Sequence, residues 1–206
     1  MLFKDYIKEM SIAGYGDWKP SKEMIGTITE FIIKKNWTFI TNINLKGTKY
    51  KIYKQGIEYI LGNFITSTKK KVEFEVDFRI KLTEHKSIAN SFKIKEKLVN
   101  VDGVEVQKTQ QGYGISTMMY KFLVKNEKFT ILGDEIQYFG ARKLWSRLSK
   151  SLDVVVDIID INKEQYIEKD VLLTHGNYDH EFDKRVWDYD DSKISVRLIL
   201  KDLKWK

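Results

Sequence analysis

A two-residue alternation of apolar and polar side chains constrains this chain more than any other feature. It is clearest in Val72–Leu82, where valine, phenylalanine, isoleucine and leucine alternate with glutamate, aspartate, arginine and lysine. Successive strand residues point to opposite faces, so this period buries one face of a sheet and leaves the other polar. The same spacing predicts strands at Thr38–Leu45, Tyr50–Tyr53, Glu58–Thr66 and Phe92–Val106, the last interrupted at Asp102-Gly103. Short polar turns separate them, so this block reads as an antiparallel meander and excludes an all-helical bundle.

The flanks change period. Phe3, Tyr6 and Ile7 predict a first helix that ends at Gly14-Tyr15-Gly16. Ser21, after Pro20, caps a second helix with an apolar face of Met24, Ile25, Ile28, Phe31 and Ile32. After Val106 the pattern predicts a helix over Ile115–Lys125, a short strand Phe129–Leu132 and a helix over Gln137–Lys150. Leu152–Ile161 is almost continuously apolar and reads as a central strand. Strands near Val171–Thr174 and Ser192–Leu200 flank a polar insertion. This order predicts a single α+β domain over residues 1–206: helices and the first strand in 1–46, the rest of the core in 47–206, and a mixed, mostly antiparallel central sheet flanked by helices.

Composition narrows the chemistry. The chain has no cysteine, which excludes disulfides, thiolate nucleophiles and cysteine-held zinc. No apolar run approaches the ~20 residues of a membrane span, and Met1–Met10 has no apolar signal core, so a cytoplasmic protein is expected. Lysine and arginine total 36 against 29 acids, giving +7, but only five of the 36 are arginine. Lysine is a solvated point charge and arginine the better phosphate fork, so the charge permits a nucleic-acid partner without demanding one. His175, His180 and Asp183 invite a metal reading, but their spacing matches no ligand motif and Gly176-Asn177 is turn chemistry, so no metal site is expected.

The most informative segment is Thr109-Gln110-Gln111-Gly112-Tyr113-Gly114-Ile115-Ser116, between a strand and a helix. Ile115, Met118, Met119, Phe122 and Leu123 share one helical face. Glycines before a helix start permit a tight turn, and they leave the first helical N–H groups free to meet an anion. The residues alone fit either a plain strand-to-helix turn or a phosphate cradle. The spacing matches neither the dinucleotide fingerprint nor the P-loop.

This segment resembles motif A of the Gcn5-related N-acetyltransferase (GNAT) family, written Q/R-x-x-G-x-G/A. Gly112 and Gly114 fall on its glycines, and Thr109 stands at its first position. Ala141–Leu148 resembles a later helix of the family, and Gly133–Trp145 resembles a branch common in phage and mobile-element proteins. The resemblance implies a GNAT-like fold that binds acetyl-coenzyme A. Thr109, Gln110, Gln111, Gly112, Tyr113, Gly114 and the N–H groups of Ile115 and Ser116 would hold the pyrophosphate, and Val104 and Val106 would flank the pantetheine arm. An amine acceptor then attacks the thioester.

The family's acidic tyrosine aligns with Trp145, whose indole cannot serve, which leaves Tyr138 as a substitute acid. Asp134 and Glu135 would lie at the mouth of the cofactor cleft as candidate bases, or cap the next helix. Glu105 is a further candidate base, or one of many outward charges. The expected activity is N-acetyl transfer to an amine of a macromolecule or small molecule. The alternatives are an inactive binding or inhibitor protein on the same fold, and an acyltransferase that modifies nucleic acid.

Overall fold

Ten strands form one mixed sheet in the computed structural model, which describes residues 26–66, 72–134, 139–174, 186 and 195–205. In chain order the elements are β1 (Gly26–Thr29), α1 (Glu30–Asn36), β2 (Thr38–Leu45), β3 (Thr48–Gln55), β4 (Glu58–Thr66) and β5 (Val72–Glu84). There follow α2 (Lys86–Ser91), β6 (Lys97–Val106), α3 (Ile115–Lys125), β7 (Phe129–Leu132), α4 (Phe139–Ser149), β8 (Val154–Asp160), β9 (Gln165–Glu168) and β10 (Val196–Asp202). The sheet order is β2-β3-β4-β5-β6-β7-β10-β8-β9. β4 covers one edge of β5, while β1 and β6 divide the other edge between its two halves.

β2 to β6 form the antiparallel meander that the alternation predicts. β6 and β7 are the one parallel pair among the described strands, joined by the crossover helix α3. They pair only from Lys97 to Asn100 against Phe129 to Leu132.

Alternation sorts the side chains to two faces. On the first, Tyr59, Leu61, Phe78, Ile80 and Val99 join Ile115, Met119 and Leu123 of α3 and Trp145 and Leu148 of α4 in the largest buried cluster. Each fully buried side chain of this size contributes about 1.5–3 kcal/mol. The second face carries two smaller clusters. One holds Ile33, Trp37, Tyr53, Ile60, Phe74 and Val76. The other holds Ala89, Phe92, Leu98, Leu132, Ile159 and Ile199.

Two of the four register shifts in the described sheet involve β5. Leu61 pairs with Phe78 but Gly62 pairs with Val76, which makes Asp77 the extra residue. A Cβ on Gly62 would lie 1.8 Å from the Glu75 carbonyl oxygen, so only glycine fits this approach. Lys81 pairs with Gly103 but Leu82 with Val101, so the Asp102-Gly103 interruption is a second bulge.

Several sequence expectations are corrected. The GNAT-like sheet flanked by helices is not what forms: a long ten-stranded sheet dominates, and the four described α-helices span only six to eleven residues. The expected second helix is strand at Gly26–Thr29, paired with β5, and helix only over Glu30–Asn36. The apolar spacing there also suits a strand, and the free edge of β5 selects it. The expected strand Phe92–Val106 begins at Lys97, after α2. Val171–Thr174 is not a strand; the Leu173 N–H donates to Ser149 Oγ at 2.9 Å and Ser146 Oγ donates to the Leu173 carbonyl at 2.9 Å, tying the segment to α4. Edge strand β9 had no counterpart in the predicted elements. The first expected helix, Gly14–Gly16 and His175–Asp183 lie outside the described residues.

Candidate functional site

β6 runs past its parallel partner. β7 ends at Leu132, and no described strand pairs with Val101–Val106 on that side. Among the described residues, no strand takes the N–H and C=O groups of β6 along this stretch. Val104 and Val106 turn their side chains to the α3 face, where they pack on the main core. The strand end is held by the Gln107 N–H, which donates to the Asp77 carbonyl at 2.9 Å.

The glycine loop follows directly. Lys108–Gln110 form one 3₁₀ turn, Gln111 is extended, and Gly112 takes φ +83°. Gly114 is the N-cap of α3, at φ +92° and ψ +10°. Both glycines occupy the left-handed region that other residues adopt at a cost. A Cβ at either would meet nothing within 4 Å, so both border open space. No side chain caps α3. The N–H groups of Ile115, Ser116 and Thr117 precede the first i→i−4 bond, Met118 N–H to the Gly114 carbonyl at 3.0 Å. Ile115 is buried in the core and fixes the helix start. Thr109 and Gln111 are exposed. Tyr113 is 53% exposed and lies 5.4 Å from the Lys46 ammonium, so the β2–β3 turn brings a cation to the loop.

A polar network supports the loop from below. Tyr50 Oη donates to Gln110 Oε1 at 3.4 Å, and Gln107 Nε2 donates to Glu75 Oε1 at 3.0 Å. Asp77 is 3% exposed, and no described residue hydrogen-bonds its Oδ1. Burial, then the nearby Glu75 charge, push its carboxyl up to about 6, against the opposing hydrogen bond from Gln110. Between the unfolded value of 3.8 and about 6, the folded state holds the extra proton. Stability therefore falls as pH rises through that window. Asp77→Asn is expected to gain about 1–3 kcal/mol at pH 7, and the gain is expected to vanish below pH 4. Urea unfolding at the two pH values checks this.

Glu105 stands opposite Arg79 across the β5–β6 ladder, and Arg79 stands opposite Ile60. This places Glu105 on the second face, across the strand from Val104 and Val106. The Arg79 guanidinium donates through Nε to Glu58 Oε1. Glu105 Oε2 is buried and accepts no hydrogen bond from any described residue. Burial raises the Glu105 carboxyl above its ordinary value; Arg79 opposes the rise and Glu58 adds to it. A half-buried carboxylate with one sheltered, unsatisfied oxygen at a strand edge has the character of a general base.

The remaining candidates are placed less closely. Asp134 is half-buried just after β7. Glu135 and Tyr138 lie outside the described residues. Trp145 is a core residue, 3% exposed, edge-on to Tyr120 with ring centroids 6.3 Å apart. Asp77, Arg79 and Glu58 were missed, because charges on alternating strands read as a solvated face. One signal stood in the sequence: Arg79 is the only arginine before Arg142 in a lysine-rich chain. Arginine is the residue favoured for buried ion pairs.

Among the described residues no group of three histidine or carboxylate side chains could hold a metal, and no helix is long and apolar enough to cross a membrane. Comparison with protein-family models, curated proteins and solved structures gives no match to the chain.

Proposed function

We propose that the protein is an acyl-coenzyme A-dependent N-acyltransferase. One observation supports the reading: an edge of β6 that no described strand pairs leads, through two left-handed glycines, straight to an uncapped helix start. The residues suit the coenzyme. The N–H groups of Ile115, Ser116 and Thr117 would receive the pyrophosphate, with Lys46 and Lys108 as nearby cations. The Val101–Val106 edge would hydrogen-bond the amides of the pantetheine arm, as an added strand does. Bound there, acetyl-coenzyme A supplies an acyl thioester that an amine opens with loss of thiolate. Glu105 would accept the proton that the amine sheds as its nitrogen bonds to the acyl carbon. Arg79, itself held by Glu58, faces Glu105 from the neighbouring strand β5. The acceptor is an amine of a macromolecule or small molecule.

Gly112→Glu tests the cradle. The side chain would enter open space at φ +83° and set a negative charge where the phosphates are expected. Coenzyme binding, read by calorimetry, is expected to be lost while the circular dichroism spectrum is kept. Gly112→Asn tolerates the same backbone without charge and is expected to retain binding within about tenfold. Equal binding by wild type and Gly112→Glu would overturn the reading.

A further inference from the structure

On the sheet face opposite α3, a cavity of about 320 Å³ opens between the segment after α2 and strands β7, β9 and β10. Its size is at the lower end for small-molecule sites. Phe92, Tyr166 and Ile199 give it an apolar wall, and the rings of Phe92 and Tyr166 meet edge to face with centroids 5.6 Å apart. Three lysines line it: Lys93, Lys95 and Lys201. Glu96 is the one acid in the lining.

Lys201 is not a loose surface cation. Its ammonium lies 2.5 Å from Asp157 Oδ2 and 5.5 Å from the centre of the Tyr166 ring, and Asp157 is 1% exposed. Asp157 Oδ1 in turn accepts the Asp170 N–H at 2.9 Å. The buried carboxylate thus holds the ammonium beside it as an ion pair. Lys93 stands at the rim. It follows α2 with φ +53°, the position where helices usually place glycine or asparagine. Lys46 and Lys128 take the same conformation elsewhere, so what marks Lys93 is its place in the cavity lining.

We propose that this cavity is a second binding site, for a small organic anion with an apolar body. The body would lie against Phe92, Tyr166 and Ile199, and the charged head would meet Lys93, Lys95 and Lys201. The site lies away from the glycine loop and does not depend on the acyl-transfer reading.

The test is an NMR titration of the full chain with benzoate and with phenyl phosphate, using benzyl alcohol as the neutral comparison. Saturable amide shifts at Thr130, Tyr166 and Lys201 are expected for the two anions, with benzyl alcohol at least about tenfold weaker. Removing Lys201 would strand Asp157 and disturb folding, so the rim carries the decisive variants. Lys93→Gly suits the backbone, and Lys95→Glu alters an exposed side chain. Each is expected to keep the melting temperature and weaken the anions at least about fivefold. Equal binding of benzyl alcohol and benzoate, anion affinity unchanged in both rim variants, or no saturable shift at these residues would each overturn the proposal.

Discussion

Gly62→Ala is expected to destabilise the protein by about 3 kcal/mol or more, at the upper end of overpacking effects. A Cβ at this position would lie 1.8 Å from the Glu75 carbonyl oxygen, 2.8 Å from its carbon and 3.0 Å from Phe74 Cε1. Two of the three obstacles are backbone atoms in the β4–β5 ladder, so no flexible side chain can yield. Relief requires separating strands that pair from Glu58 to Thr66, next to the bulge that sets Asp77. For a domain of this size the melting temperature should fall by roughly 6–12 °C. Gly47→Ala is the comparison: it adds a methyl to open space at φ +86° and should cost only about 1 kcal/mol. Thermal and urea unfolding of both variants check the contrast, and similar losses would show that close approach at Gly62 is not limiting.

Glu105→Gln is the second large effect. If Glu105 takes the proton from the acceptor amine, its amide should lower turnover by about 10²–10⁴-fold. Coenzyme affinity should change little, because Glu105 lies on the face opposite Val104 and Val106. Burial raises the Glu105 carboxyl, so wild-type turnover should climb with pH along a limb above the ordinary glutamate range. The variant should lose that limb. Thiol release from acetyl-coenzyme A with polyamine and peptide acceptors measures both quantities. Loss of coenzyme affinity together with turnover would assign Glu105 a structural role instead.

The meander from β2 to β6 was legible because period two is a direct consequence of strand geometry, and Asp102-Gly103 marked its bulge. α3 was legible through a different period: Ile115, Met119 and Leu123, four residues apart, share a helical face that must be buried. Gly26–Thr29 was not, since its side-chain spacing suits helix or strand and the free edge of β5 decides between them. β9 alternates exposed residues with half-buried Tyr166 and Glu168, too weak a pattern to mark a four-residue edge strand. The buried and half-buried charges were hidden for a different reason. Arg79 and Glu105 sit at positions that a two-layer reading assigns to solvent, while Asp77 is turned in beside Gln110 as the extra residue of a bulge. The second face instead carries its own apolar clusters, with α1 against one and α2 against the other. Which charges an alternating strand buries depends on what covers that face, and this is tertiary information.

Calorimetric titration of acetyl-coenzyme A into the purified protein, with free coenzyme A alongside, tests the central proposal most directly. The proposal predicts micromolar binding of both, lost in Gly112→Glu and kept in Gly112→Asn. No binding at millimolar coenzyme to folded protein would contradict it.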